Sequence, residues 1–204
     1  MEKRMLEGHV ELRGEDDDKR IGGVAAVYYD GTPQTEFRLW AGAVERILPG
    51  AFDRAIKEDD VRALFNHDQS LVLGRNRAGT LKLTSTNEGL DYEITPADTT
   101  IYRDVTQHLA RGDVTGSSFA FSVTTGGEEW SEDEERGLKV REVRDAKLFD
   151  VSPVTYPAYQ ATEASLRSDA QASYDNYQKA LDQRQRDNDR QKQAEVCYDN
   201  AWSE

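Results

Sequence analysis

The segment VTGSSFAFSV, residues 114–123, sets two hydroxyls, Ser117 and Ser118, side by side ahead of two phenylalanines. Acyl transfer by a serine needs an imidazole to take its proton, and usually a third group to fix the imidazole's tautomer. The chain has three histidines. His9 lies in a polar N-terminal stretch, and His108 shares a helical pattern with Gln107 and Arg111, turned away from Ile101. His67 ends the run VRALFNHD, where apolar alternation gives way to Asn, His, Asp and Gln, as it does at the rim of a sheet. The alternation places it on one strand face with Val61, Ala63 and Phe65, and it is the base candidate. A histidine that merely caps a strand or pairs with Asp68 fits the same spacing.

Strand parity separates the two serines. Side chains alternate along a strand, so Ser117, Phe119, Phe121 and Val123 share one face and Ser118, Ala120 and Ser122 the other. The phenylalanine face belongs to the core. Ser118 is then expected on a face of small residues, open to a peptide backbone. Ordinary small residues on a solvated strand would show the same pattern, and no G-x-S-x-G elbow is present.

Asp150 is the candidate third member. In AKLFDVSPVTY it sits within an apolar strand, with Phe149 and Val151 on the opposite face, and a half-buried carboxylate needs a partner. A histidine N–H is one such partner; Arg141 or Arg144 is another. No two histidines stand at metal-ligand spacing and the only cysteine, Cys197, is remote, so no metal or other cofactor is expected.

The elements that must hold these residues follow from composition and pattern. At 204 residues the chain suffices for one core plus an appended segment. A net charge of −13 disfavours a phosphate-binding groove, so nucleic acid is not an expected partner. No apolar run suits a secretion signal or a bilayer crossing, and the lone cysteine suits a reducing compartment, so a soluble cytoplasmic protein without membrane partners is expected.

Residues 1–20 read as a loose arm or an edge strand. IGGVAAVYYDG reads as a buried strand, with Gly22 and Gly23 marking a bulge or bend, and TEFRLW as a second strand. Phe52, Ala55 and Ile56 stand at helical spacing, and GTLKLTSTNEGLDYEIT reads as a hairpin turning at 87–89. Ile101, Val105 and Leu109 form a helical stripe stopped by Gly112. GGEEWSEDEERG reads as an acidic loop leading to two further strands. Beyond residue 160 the composition turns polar, which sets the expected domain at 21–160 and a helical or flexible tail at 161–204. Its thin stripe of Ala194, Tyr198, Ala201 and Trp202 fits either a solvated helix or a docking helix.

Several segments, in order, resemble the tailed-phage prohead (procapsid) maturation protease family, serine peptidases related in fold to herpesvirus assemblin. GGVAAVYY resembles its opening strand, ERILPGAF its loop and helix, LFNHDQSLVLGR its histidine segment, RGDVTGSSFAFSV its nucleophile strand and AKLFDVSPVTYPAYQATEASLR its closing strand. The resemblance covers about residues 8–167. It implies His67 as base, Ser118 as nucleophile and Asp150 in a place where members often carry Glu. The sequence departs in having Ser117 where a larger apolar residue is usual and Ala120 where Gly is frequent.

The implied fold is mostly β with flanking helices (α+β), built on a small, mainly antiparallel β-barrel. The implied function is an endopeptidase that cleaves scaffold or capsid-protein N-terminal regions, and itself, inside the procapsid in the host bacterial cytoplasm. Its implied partners are the major capsid or scaffold protein, with a homo-oligomer compatible. A protease-like scaffold or capsid-assembly protein without strong activity is the alternative.

Overall fold

The computed structural model describes residues 1–15, 18–156 and 160–201, with the side chains of 160–168 and 193–201 outside the description. Thirteen strands and three α-helices fall in the described residues. The first sheet has the order β1 (Glu2–Glu7), β10 (Gly116–Val123), β13 (Ala146–Val154), β6 (Arg62–Phe65), β7 (Asp68–Arg75). The second runs β11 (Glu128–Asp133), β12 (Leu138–Val143), β5 (Ala43–Ile47), β4 (Phe37–Trp40), and the third β2 (Val10–Arg13), β3 (Arg20–Val27), β9 (Gly89–Ile94), β8 (Leu81–Ser85). Pairing is antiparallel except for β13 with β6 and β12 with β5.

The mostly β, mainly antiparallel class agrees with the sequence; no closed barrel forms among the described residues. Three open sheets take its place, so the architecture gives no support to an assemblin-type barrel. The chain is passed between sheets by bends. At Gly8, φ 75°, β1 of the first sheet ends and β2 of the third begins, with the Gly8 N–H donating to the Thr115 carbonyl. A strand that changes sheet at a bend makes a corner rather than a continuous ladder.

The first residues are thus an edge strand, β1, and not a loose arm. Gly22 and Gly23 lie inside β3, and the ladder irregularity comes just after them, between Val24 and Ala26. Gly23 is required by close approach: a Cβ there would stand 2.0 Å from the His9 carbonyl oxygen. The expected acidic loop contains β11, whose Trp130 is buried 5.9 Å from the Trp40 ring. Charged residues flanking one aromatic masked that strand. Strands β5 and β7 were also missed.

Helix α2 (Thr100–Arg111) forms where its stripe predicts. Thr99 caps its first turn by accepting from the Tyr102 N–H at 3.2 Å, and Gly112 ends it at φ 78°. Tyr102, beyond the predicted stripe, is buried too, and its hydroxyl accepts from the Ile21 N–H at 3.2 Å. Helix α1 (Asp53–Glu58) follows Phe52, which meets Phe119 edge-on at 5.6 Å; Phe119 stacks on Phe121 at 5.1 Å. These rings anchor β10 from its core side, as parity required.

Contacts divide the chain into residues 1–166 and 167–204. The second unit is most of helix α3 (Gln160–Ala201), supported by i,i+4 bonds such as Gln171 to Asp175 and Gln183 to Asp187, both 2.9 Å. The side chains of Ala194, Cys197, Tyr198 and Ala201, and the whole of Trp202, lie outside the described residues.

Candidate active site

Strand β6 ends at Phe65, which pairs with Asp68 at the start of β7, leaving Asn66 and His67 as a two-residue hairpin turn. Both have positive φ, 55° and 58°. A tight hairpin of this kind needs left-handed backbone at both central positions, and Asn and His accept it more readily than most residues. His67 is therefore not on the strand face with Val61, Ala63 and Phe65. The reversal of the chain swings its ring back over the first sheet. Asn66 ties the turn to β13: its N–H donates to the Pro153 carbonyl at 3.0 Å, and its Oδ1 accepts from the Thr155 N–H at 2.9 Å.

Ser118 faces Met5 of β1 on one side and Ser152 of β13 on the other. Two residues on, Ala120 faces Asp150. Cross-strand partners share a face, so Ser118, Ala120, Asp150 and Ser152 lie together, opposite the phenylalanines. A bulge makes this possible. Ala120 pairs with Asp150 but Phe121 with Leu148, leaving Phe149 as the extra residue. Leu148 enters the core although it stands two residues from Asp150, and Phe149, which alternation places with Val151 opposite Asp150, is exposed while Val151 is buried.

The three candidates meet. His67 Nε2 lies 2.6 Å from Ser118 Oγ, and His67 Nδ1 lies 2.5 Å from Asp150 Oδ1. Only 6% of the His67 side chain and 7% of the Asp150 side chain are exposed. Neither Arg141 nor Arg144 pairs with Asp150: Arg141 binds Glu2, Glu45 and Glu128, and Arg144 binds Glu129 and Glu142. His108 remains on the surface of α2, 3.4 Å from Asp113. Ser117 belongs to the core side, where its hydroxyl lies 3.4 Å from that of Tyr92.

Two features depart from the sequence reading. Ser118 is fully buried rather than open, enclosed by its strand neighbours and the imidazole. Its hydroxyl also donates to the Arg4 carbonyl at 2.8 Å, so one proton has two acceptors in reach. The second is Ser152, buried, whose hydroxyl donates to Asp150 Oδ1 at 2.9 Å and sits 3.4 Å from His67 Nδ1. Parity could have found it, since it stands two residues from Asp150 on one strand.

Behind β10, a buried charge cluster fixes β1. Arg4 donates to both Glu45 oxygens at 2.6 and 2.8 Å and to Glu2 at 2.9 Å; Arg141 reaches Glu2 at 2.6 Å and Glu45 at 2.8 Å. Burial would raise the Glu2 carboxyl, but hydrogen bonding and charge from Arg141 and Arg4 outweigh it and hold the pKa below the ordinary glutamate value. Alternating charges in MEKRML gave no sign of this, because they match a solvated edge.

A family model described as caudovirus prohead serine protease matches residues 9–179. The chain belongs to that family. No curated protein and no solved structure matches it. Membership in the prohead serine proteases supplies the class of chemistry, serine peptide hydrolysis in phage capsid maturation. Among the described residues, no cluster of His, Cys, Asp and Glu could hold a metal ion, and no helix is long and apolar enough to cross a membrane.

Proposed function

We propose that this prohead protease is an endopeptidase in which Ser118 is the nucleophile, His67 the general base and acid, and Asp150 the group that orients the imidazole. The continuous hydrogen-bonded chain from Asp150 through His67 to Ser118 carries the reading. With Nδ1–H donated to Asp150, the Nε2 lone pair faces the Ser118 hydroxyl. As Oγ attacks the scissile carbonyl carbon, its proton passes to Nε2, and Asp150 stabilises the imidazolium. Collapse of the tetrahedral intermediate breaks the C–N bond, and Nε2 returns the proton to the leaving amine. Water then repeats the sequence on the acyl-enzyme, releasing the acid and restoring Ser118.

Met5 pairs with Ser118 and Lys3 with Ala120, so both side chains lie on the nucleophile's face, and they line a groove beside His67. Substrates are scaffold or capsid-protein N-terminal regions inside the procapsid in the host cytoplasm, with self-cleavage between copies held there. Residues 21–160 form the peptidase domain, preceded by the edge-strand segment 1–20 and followed by the appended tail 161–204. Co-expression with the presumptive capsid protein, wild type against Ser118→Ala, followed by sequencing of new N-termini, tests this. Ser118-dependent cleavage is expected; cleavage retained by the alanine variant overturns the assignment.

A further inference from the structure

Resting on the endopeptidase reading, we infer that the groove between β7 and the β13 bulge is the subsite that receives an apolar side chain of the substrate. This groove has a volume of about 460 Å³ and runs up to His67 and Asp150. Its apolar lining includes Leu64, Val72 and Phe149. Leu64 and Val72 are cross-strand partners and so share a face.

Val72 is 48% exposed and Phe149 40%, two of the five large hydrophobic side chains exposed among the described residues. A further two, Met1 and Tyr156, line this groove and the one on the other side of His67. Scattered exposed apolar residues are ordinary; a concentration at the reacting atoms is a binding surface. The bulge adds a second, independent sign. It turns an aromatic ring out of the sheet one residue from Asp150, and bulges beside active sites re-aim side chains in this way.

Charge does not select the occupant. The charged side chains of the lining are paired, Arg62 with Asp60 at 3.2 Å and His67 with Asp150 at 2.5 Å, and Gln69 is its uncharged polar member. What remains is shape and apolar surface, suited to side chains of the size of Leu, Met or Phe within two residues of the scissile bond.

The test incubates the purified full-length chain with a peptide library made from a digested bacterial proteome and reads new termini by mass spectrometry. The wild type is expected to enrich Leu, Met and Phe at one position by about tenfold. Val72→Arg should shift that position towards Asp and Glu. Phe149→Ala should flatten it, and Leu181→Ser, on α3, should leave it unchanged. Ser118-dependent cleavage without apolar preference, or a preference untouched by Val72→Arg, overturns the subsite and spares the endopeptidase reading. Absence of any Ser118-dependent cleavage overturns both.

Discussion

Nε2 of His67 lies 2.6 Å from Oγ of Ser118, across 51 residues of sequence, because a hairpin turn and an internal strand converge on one face of the first sheet. If the pair acts as a unit with Asp150, Ser118→Ala should lower the rate by about 10⁴–10⁶, a barrier increase of roughly 5–8 kcal/mol. Ser117→Ala should leave cleavage nearly intact, since that hydroxyl lies on the core side near Tyr92. Assay of both variants on one capsid-derived peptide checks the pair. Equal losses would mean that the faces are misassigned.

The turn itself should set the rate. Asn66 holds left-handed backbone and its side chain ties the turn to Thr155, so Asn66→Ala strains the backbone and removes that tie, leaving the N–H bond to Pro153. The backbone part costs about 1–2 kcal/mol. Asn66→Gly restores the backbone but not the tie. A fall in kcat at constant KM is expected for both, larger for alanine, and steady-state kinetics beside thermal melts would separate it from simple destabilisation.

Ser152 should act through Asp150. Its hydroxyl proton goes to Oδ1, the oxygen that also faces His67, so it helps fix the carboxylate and lowers the demand on the imidazole N–H. Ser152→Ala is expected to cut kcat by about 10- to 100-fold, the size of one hydrogen bond to a charged carboxylate. Asp150→Asn, which favours the wrong tautomer, should cost about 10⁴. Ser152→Thr, which keeps the hydroxyl, should recover much of the alanine loss in the same assay.

What could be read before folding was whatever follows a period. Parity set the Ser118 face apart from the phenylalanines, and helix α2 followed its stripe and its glycine stop. Three determinants have no period. The Asn66–His67 turn uses left-handed backbone without a glycine to announce it. The Phe149 bulge breaks the alternation on which its own placement depended. The enclosure of Ser118 comes from β1, whose register with β10 is a long-range fact that neither segment states alone.

That strand supplies the last prediction. Arg4 presents its carbonyl to Ser118 and its guanidinium to Glu45 and Glu2, so one residue links the nucleophile to the buried charge cluster. Removing one member strands a charge, and Glu45→Ala should destabilise the fold by about 3–5 kcal/mol. The pH dependence follows from Glu2, whose carboxyl is held below its ordinary value in the folded chain. A depressed folded pKa means that the unfolded chain binds the proton first. The contribution is therefore complete above the unfolded glutamate pKa and is lost as pH falls through the folded one. Melting temperature should drop more steeply for wild type than for Glu2→Gln as pH is lowered from about 5 to 3. Parallel slopes would show that Glu2 does not hold β1 through its charge. A steeper slope in Glu2→Gln would reverse the sign of the linkage.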